Sequence, residues 1–301
     1  MSVYSHSRIG TFESCPLQYR YRYIDRIPRE REGIEAFVGK LVHEILQEIY
    51  TDLPRARATT PSDQSARFDA LWGERWSSAV RIVREGMAAE DYRALGRRCV
   101  ETYHKRHHPF EGGEVLGCET KVEFPLDAGG RYRMLGYIDR VHRPEPGVLE
   151  IHDYKTGALP RDGALRADRQ LSLYEIAARE IWTDTREVRQ VWHFLAHDRQ
   201  FVQRRTPDEL QRARVGTIRA IQTIEATTRF PPRRSALCSW CDYKDICPEW
   251  AAEREAARAV RAESPGPGAV GPEPPAVPLA AAAPPEGRYG QYLLFGGPAE
   301  P

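Results

Sequence analysis

The run Tyr132-Arg133-Met134-Leu135-Gly136-Tyr137-Ile138-Asp139-Arg140-Val141, followed by Val148-Leu149-Glu150-Ile151-His152-Asp153-Tyr154-Lys155, decides the fold. Both pieces are rich in β-branched and aromatic residues, and Pro144-Glu145-Pro146-Gly147 separates them. They read as two strands joined by a turn. A third strand, Glu114 to Leu126, precedes them across Asp127-Ala128-Gly129-Gly130. On the upstream side the period is helical. Ser5 and Ser7 can cap a helix starting near Arg8, and Pro16 opens a turn that carries Gln18 to Tyr23. Val38, Leu41, Val42, Ile45, Leu46 and Ile49 then recur at helical spacing between Phe37 and Tyr50. Two more helical stretches, about Ala66 to Glu85 and Met87 to His107, predict a helical insertion at about 54–110. Downstream, a Gly/Pro loop leads to a helix from Asp168 to Trp182, then strands Val188 to Ala196 and Phe201 to Arg205. Thr206-Pro207-Asp208-Glu209 is a capping box opening a helix to about Thr227. This order predicts an α/β domain on a small mixed sheet flanked by helices.

Composition narrows the class. The chain has 301 residues with 44 Lys+Arg against 43 Asp+Glu, a net charge of +1. Such a balance excludes a protein that holds nucleic acid by being basic throughout, while leaving room for a local basic groove. No segment approaches a membrane span and the N-terminus is unlike a signal peptide, so a cytoplasmic, non-membrane protein is expected. Eight prolines fall between Glu263 and Gly287 with no aromatic residue, a composition that cannot bury enough surface to order itself. The expected layout is a folded domain over 1–252, a disordered Pro/Ala-rich linker over 253–287 and a tail over 288–301.

The densest chemistry lies on the two opening strands. Asp153 and Lys155 project from one face, and a hairpin can bring Asp139 beside them. Two carboxylates with an ammonium group suit Mg²⁺ or Mn²⁺ and the cleavage of a phosphodiester. The same residue types also form ordinary solvated ion pairs. Lys155 is nonetheless one of only five lysines, with Lys40, Lys105, Lys121 and Lys244.

Asp139, Asp153-Tyr154-Lys155 and Gln170-Leu171-Ser172-Leu173-Tyr174, preceded by Gly39-Lys40-Leu41-Val42-His43, resemble the PD-(D/E)XK nuclease superfamily. More narrowly they resemble its RecB-like branch, which includes AddB nuclease domains and CRISPR-associated exonucleases. One departure is Ile138 in place of the proline before Asp139. The resemblance implies a restriction-endonuclease-like fold and a metal-dependent DNA nuclease. It also implies roles: His43, Asp139, Asp153 and the Tyr154 carbonyl as metal ligands, and Lys155 as the catalytic lysine. Gln170 and Tyr174 would orient the site or touch substrate phosphate, while Glu119 would either reach the metal shell or be a strand-surface charge.

Cys238-Ser239-Trp240-Cys241 and Cys247 are one ligand short of a four-thiolate site, and Cys15 is the nearest candidate fourth. Spacing alone points to structural Zn²⁺; the resemblance to iron–sulfur RecB-like nucleases implies a [4Fe–4S] cluster instead, stapling the ends of the domain. Cys99 and Cys118 read as small apolar residues, and His104, His107 and His108 as a solvated helix end. In Tyr19-Arg20-Tyr21-Arg22-Tyr23, Arg20 and Arg22 can grip DNA while the tyrosines stack bases, although a helix packing its tyrosines inward would have the same sequence. Finally, Gln291-Tyr292-Leu293-Leu294-Phe295 resembles the bacterial sliding-clamp-binding pentapeptide through Gln291, Leu294 and Phe295; packing back on the domain is the alternative. The expected function is a DNA exonuclease of repair or recombination acting on single strands or ends, with a helicase partner in trans conceivable. The rivals are a CRISPR-adaptation exonuclease and a non-catalytic DNA-binding module.

Overall fold

The computed structural model describes residues 2–29 and 31–256. The chain opens with strand β1 (Val3–Tyr4) and helices α1 (His6–Ser14) and α2 (Pro16–Tyr19), the latter continuing as a wider π-helical turn over Arg20–Ile24. A two-residue strand β2 (Glu32–Gly33) leads into the long helix α3 (Ile34–Thr51), then α4 (Leu53–Arg57) and α5 (Pro61–Arg75). Strand β3 (Val80–Arg81) and helix α6 (Ala89–His107) complete the helical part. The sheet strands follow as β4 (Glu114–Pro125), β5 (Arg133–Arg143) and β6 (Val148–Lys155). Helix α7 (Gln170–Ile181), β7 (Glu187–Phe194), β8 (Arg199–Gln203) and α8 (Pro207–Ala226) close the domain.

Local chemistry starts the helices where the sequence predicts. Ser5 accepts the Arg8 N–H at 3.1 Å, and Thr206 and Glu209 form a reciprocal capping box at α8. The helix expected over Ala66–Glu85 differs: it starts at Pro61, behind a Thr60–Asp63 capping box, and stops at Arg75. Trp76 turns extended and stacks on Trp72 at 4.9 Å, and Val80–Arg81 then pairs with β2. A tertiary contact has overridden helical period there. The expected solvated end at His104 to His108 also needs correction, because His104 is buried and stacks on His108, with Phe110 at its edge. Residues 251–256 are helical, so the linker expected from 253 begins inside a helical turn. The rest of the linker and Gln291, Leu294 and Phe295 lie outside the described residues.

The sheet is mixed, ordered β1-β5-β6-β7-β8, with β4 on the other edge of β5. Its registers define a fork. Strand β4 runs antiparallel along nearly all of β5. On the opposite edge, β5 pairs with β1 only at Arg133 and Met134, and with β6 only at Arg140 to His142. Between those two contacts, and beyond His152 on β6, the backbones part.

Helices cover both faces. One core packs Ile9 of α1, Leu171 and Ile176 of α7 and Ile221 of α8 on Ile138, Val141, Ile151 and Trp192. The other gathers Phe37, Leu41, Ile45 and Ile49 of α3 with Phe68 of α5, Val100 of α6 and Tyr154. Each such side chain contributes about 1.5–3 kcal/mol relative to exposure, which fixes α3 across the sheet. Ile138 and Val141 share a core although they are three residues apart, so strict strand alternation breaks between them. Asp139 sits at that break.

Candidate active site

At the fork, the Tyr154 N–H and C=O point toward the edge that β5 has left, and both need partners. Asp139 Oδ2 accepts the Tyr154 N–H at 2.7 Å, and the Tyr154 carbonyl lies 2.8 Å from His43 Nε2. A carbonyl can only accept, so Nε2 carries the proton and His43 Nδ1 faces the carboxylates, 3.6 Å from Asp139 Oδ2 and 3.9 Å from Glu119 Oε1. His43, Glu119 and Asp139 present ligand atoms all within 4.8 Å of one another. Glu119 reaches this position through a left-handed backbone, φ 46°, in the middle of β4. A non-glycine residue held there is strained, and such strain gathers at functional sites. With the break in alternation at Asp139, it re-aims one carboxylate from each of two neighbouring strands into the fork.

The other half of the site lies toward α7. Lys155 Nζ is 2.7 Å from Asp153 Oδ2 and donates to Gln170 Oε1 at 3.1 Å. Asp153, Lys155 and Gln170 are buried. Burial disfavours the ammonium, yet Asp153, then Asp168 and Asp139, hold the Lys155 pKa above its ordinary value. Burial drives the Asp139 carboxyl up to about 7, with His43 pulling against it and Asp153 and Glu119 reinforcing it. For His43, burial is likewise outweighed by Asp139 and Glu119, which raise its pKa.

Helix α7 is set against the strands by a missing side chain. A Cβ on Gly136 would stand 2.3 Å from Tyr174 Cε1, so glycine is what admits the tyrosine ring. Tyr174 is buried and hydrogen-bonds with Gln170 and the Tyr137 backbone, which places it beneath the site. Two supporting groups escaped the sequence reading. Asp168 is buried near Lys155 and accepts the Leu171 N–H at 3.1 Å; an Asp just ahead of α7 is an N-terminal signature that could have flagged it. Buried Arg205 donates to the carbonyls of Leu165 and Arg166 and to Gln190, which in turn donates to buried Glu175. No local pattern marks Arg205.

The four cysteines of the predicted cluster meet in a cavity of their own. Cys15, Cys238, Cys241 and Cys247 line one cavity of about 100 Å³, together with Arg22, Arg233 and Lys244. The Arg233 N–H points to Cys15 Sγ at 3.4 Å and its guanidinium bonds the Glu13 carbonyl, which ties helix α1 to the segment ahead of Cys238. Cys99 is buried in the α3–α6 core and Cys118 packs against it. Arg20 is exposed and paired with Asp25, while Tyr19 is buried, stacked on Phe230 with Tyr23 tilted beside it. Tyr19 thus follows the inward-packing alternative.

A forked mixed sheet carrying carboxylates and one lysine at the fork suits a metal-dependent nuclease. The profile of the PD-(D/E)XK nuclease superfamily matches residues 3–248, and the chain belongs to that superfamily. No curated protein matches it. Among solved structures, "Crystal structure of SSO0001" aligns over 82% of this chain and 86% of its own, at 14% identity and a TM-score of 0.38. Among the described residues no helix is long and apolar enough to cross a membrane.

Proposed function

We propose that the chain is a cytoplasmic, RecB-like deoxyribonuclease that degrades DNA from ends or single strands during repair or recombination. The observation that carries this reading is the convergence of His43, Glu119, Asp139, Asp153 and Lys155 on one fork of the sheet. Mg²⁺ or Mn²⁺ held by His43, Glu119 and Asp139, with Asp153 alongside, would polarise a phosphate oxygen and activate water. Lys155, clamped by Asp153 and Gln170, stays an ammonium and can neutralise charge gathering on the phosphate. The Tyr154 carbonyl orients His43 through its other ring nitrogen, as supporting groups commonly do for metal ligands. An intact set of acids and lysine speaks against a non-catalytic DNA-binding module.

We further propose that the four-cysteine cavity holds a [4Fe–4S] cluster rather than zinc. Zinc, with bonds of about 2.3 Å, would draw four sulfurs to roughly 3.8 Å of one another. Among the described residues no three of the sulfurs come within 4.8 Å. The cationic lining suits an anionic cluster. Binding of a sliding clamp through Gln291, Leu294 and Phe295, and a helicase in trans, remain parts of the proposal carried by sequence alone.

The test is cleavage of linear, end-blocked and circular DNA with Mg²⁺ or Mn²⁺ after anaerobic purification. Degradation of open ends, loss of activity with EDTA, and iron with visible absorbance are expected. Full activity of Asp153→Ala or Lys155→Ala would sink the nuclease assignment. A colourless protein with stoichiometric zinc would remove the cluster.

A further inference from the structure

Beside the cysteine cavity lies a larger groove, of about 310 Å³, between the segment leading into α3 and the residues around Trp240. Four cations line it, Arg22, Arg29, Arg31 and Lys40, against two acids, Glu32 and Asp242. Glu32 is engaged with Lys40 at 2.5 Å. Burial raises the Asp242 pKa against the pull of Arg22, Arg81 and Arg29. The groove is therefore electropositive in a chain whose net charge is only +1.

Two observations give the groove a direction and a ligand. Ala36 and Lys40 line it, and with His43 they occupy positions i, i+4 and i+7 of α3, one stripe of the helix. Lys40 stands about 4.5 Å along the axis from His43, so the groove opens one turn from the carboxylates. Arg29 is held over the Tyr243 ring at 4.8 Å, and Nη1 reaches Asp245, but its Nε and Nη2 are buried without a hydrogen-bond partner among the described residues. Buried donors on a guanidinium fixed in this way match the oxygens of a phosphate.

Resting on the nuclease reading, we propose that this groove carries the phosphates of a DNA single strand along α3 to the fork, with Arg29 and Arg31 as the main contacts. Trp240 belongs to both the groove and the cysteine cavity, so the cysteine segment forms one wall of the path.

The test is anisotropy of a fluorescein-labelled oligothymidylate with the full chain, without added divalent cation, over a series of salt concentrations. Arg29→Ala/Arg31→Ala is expected to lose at least tenfold in affinity at low salt. Its slope of log K against log salt should shrink by about 1.4, since each single-strand phosphate contact contributes about 0.7. Arg29→Lys/Arg31→Lys should keep most of the slope, and Arg204→Ala, exposed and paired with Glu187, should leave both quantities unchanged. Wild-type affinity and slope in the double-alanine chain, or no binding by the wild-type chain, would overturn the groove. A wild-type chain that binds through the groove but cleaves nothing would overturn the nuclease reading alone.

Discussion

Strand β5 contributes one residue to each of two histidine–carboxylate groups, Asp139 to one and His142 to the other, and the groups have opposite electrostatic characters. His43, Glu119 and Asp139 gather at one point, His142, Glu150 and His152 at another, each with ligand atoms within 4.8 Å. Around the second, the chain supplies its own cations. Arg140 Nη2 lies 2.8 Å from His152 Nδ1 and 3.1 Å from its Nε2, and Arg189 reaches Glu150 at 3.5 Å. Burial works against the Glu150 carboxylate, but hydrogen bonds from His142 and His152 hold its pKa well below the ordinary range. At the fork the balance is reversed. Lys155 is committed to Asp153, and the Asp139 pKa rises instead of falling. A carboxylate group that its own chain neutralises is a structural tie, whereas one left in excess invites a metal ion.

The comparison can be broken by exchanging the two groups in experiment. Asp139→Asn should lower cleavage on the order of a thousandfold or more, with DNA affinity retained. Glu150→Gln should leave turnover within a few-fold. Equal loss in both variants, read by single-turnover cleavage, would erase the distinction. Mn²⁺ titration sharpens it: the fork's site should vanish in His43→Ala and persist in Glu150→Gln. Because Asp139 must shed its proton to bind metal, Mn²⁺ affinity should fall about tenfold for each pH unit below about 7.

Packing effects are smaller. Gly136→Ala forces a methyl against Tyr174 and should cost about 1–3 kcal/mol by denaturant unfolding, with a loss of kcat because Gln170 moves with α7. An unchanged midpoint would mean that the ring has room to shift. His152 of the second group, with His193 stacked on it and His107 beyond, has its own pH signature. Burial first, then Arg140, lowers the pKa of His152 to about 3 and of His107 to about 4, and burial with His152 and Arg140 lowers that of His193. These groups bind protons in the unfolded chain before they do so in the folded one. Their contribution to stability is therefore full above about pH 6.5 and declines as pH falls toward 4, by about 1.4 kcal/mol per unit for each histidine that titrates. Thermal melts at pH 7 and 5 in the Asp139→Asn chain, which lacks the opposing gain from the raised Asp139 carboxyl, measure this, and a flat profile there would refute neutral burial of the cluster.

Much of the site was legible in the sequence because its parts are local. Asp153 and Lys155 share a face by strand period, Gln170 and Tyr174 share a helix face, and α3 carries an apolar stripe with His43 on its flank. Cys15 and Cys238 to Cys247 could be proposed as partners from count and residue type. Other features were not legible because they arise from long-range contacts. The π-helical turn after Tyr19, the early stop of α5 and the burial of His104 each depend on a surface supplied from elsewhere in the chain. Arg205 is invisible locally because its partners lie in the loop ahead of α7 and on β7.

By itself, then, the sequence determined the longer elements, their order and the inventory of acids, lysine and thiols, since period, caps and turns act over a few residues. Only the tertiary structure decided that β1 and β6 share one edge of β5 without meeting. That arrangement opens the fork, leaves Tyr154's backbone to Asp139 and His43, and brings Glu119 in through a left-handed turn that no local preference favours. The physical reason is that an unpaired strand edge must find partners, and the side chains that supply them come from α3 and β5, more than a hundred residues apart in the case of His43 and Tyr154.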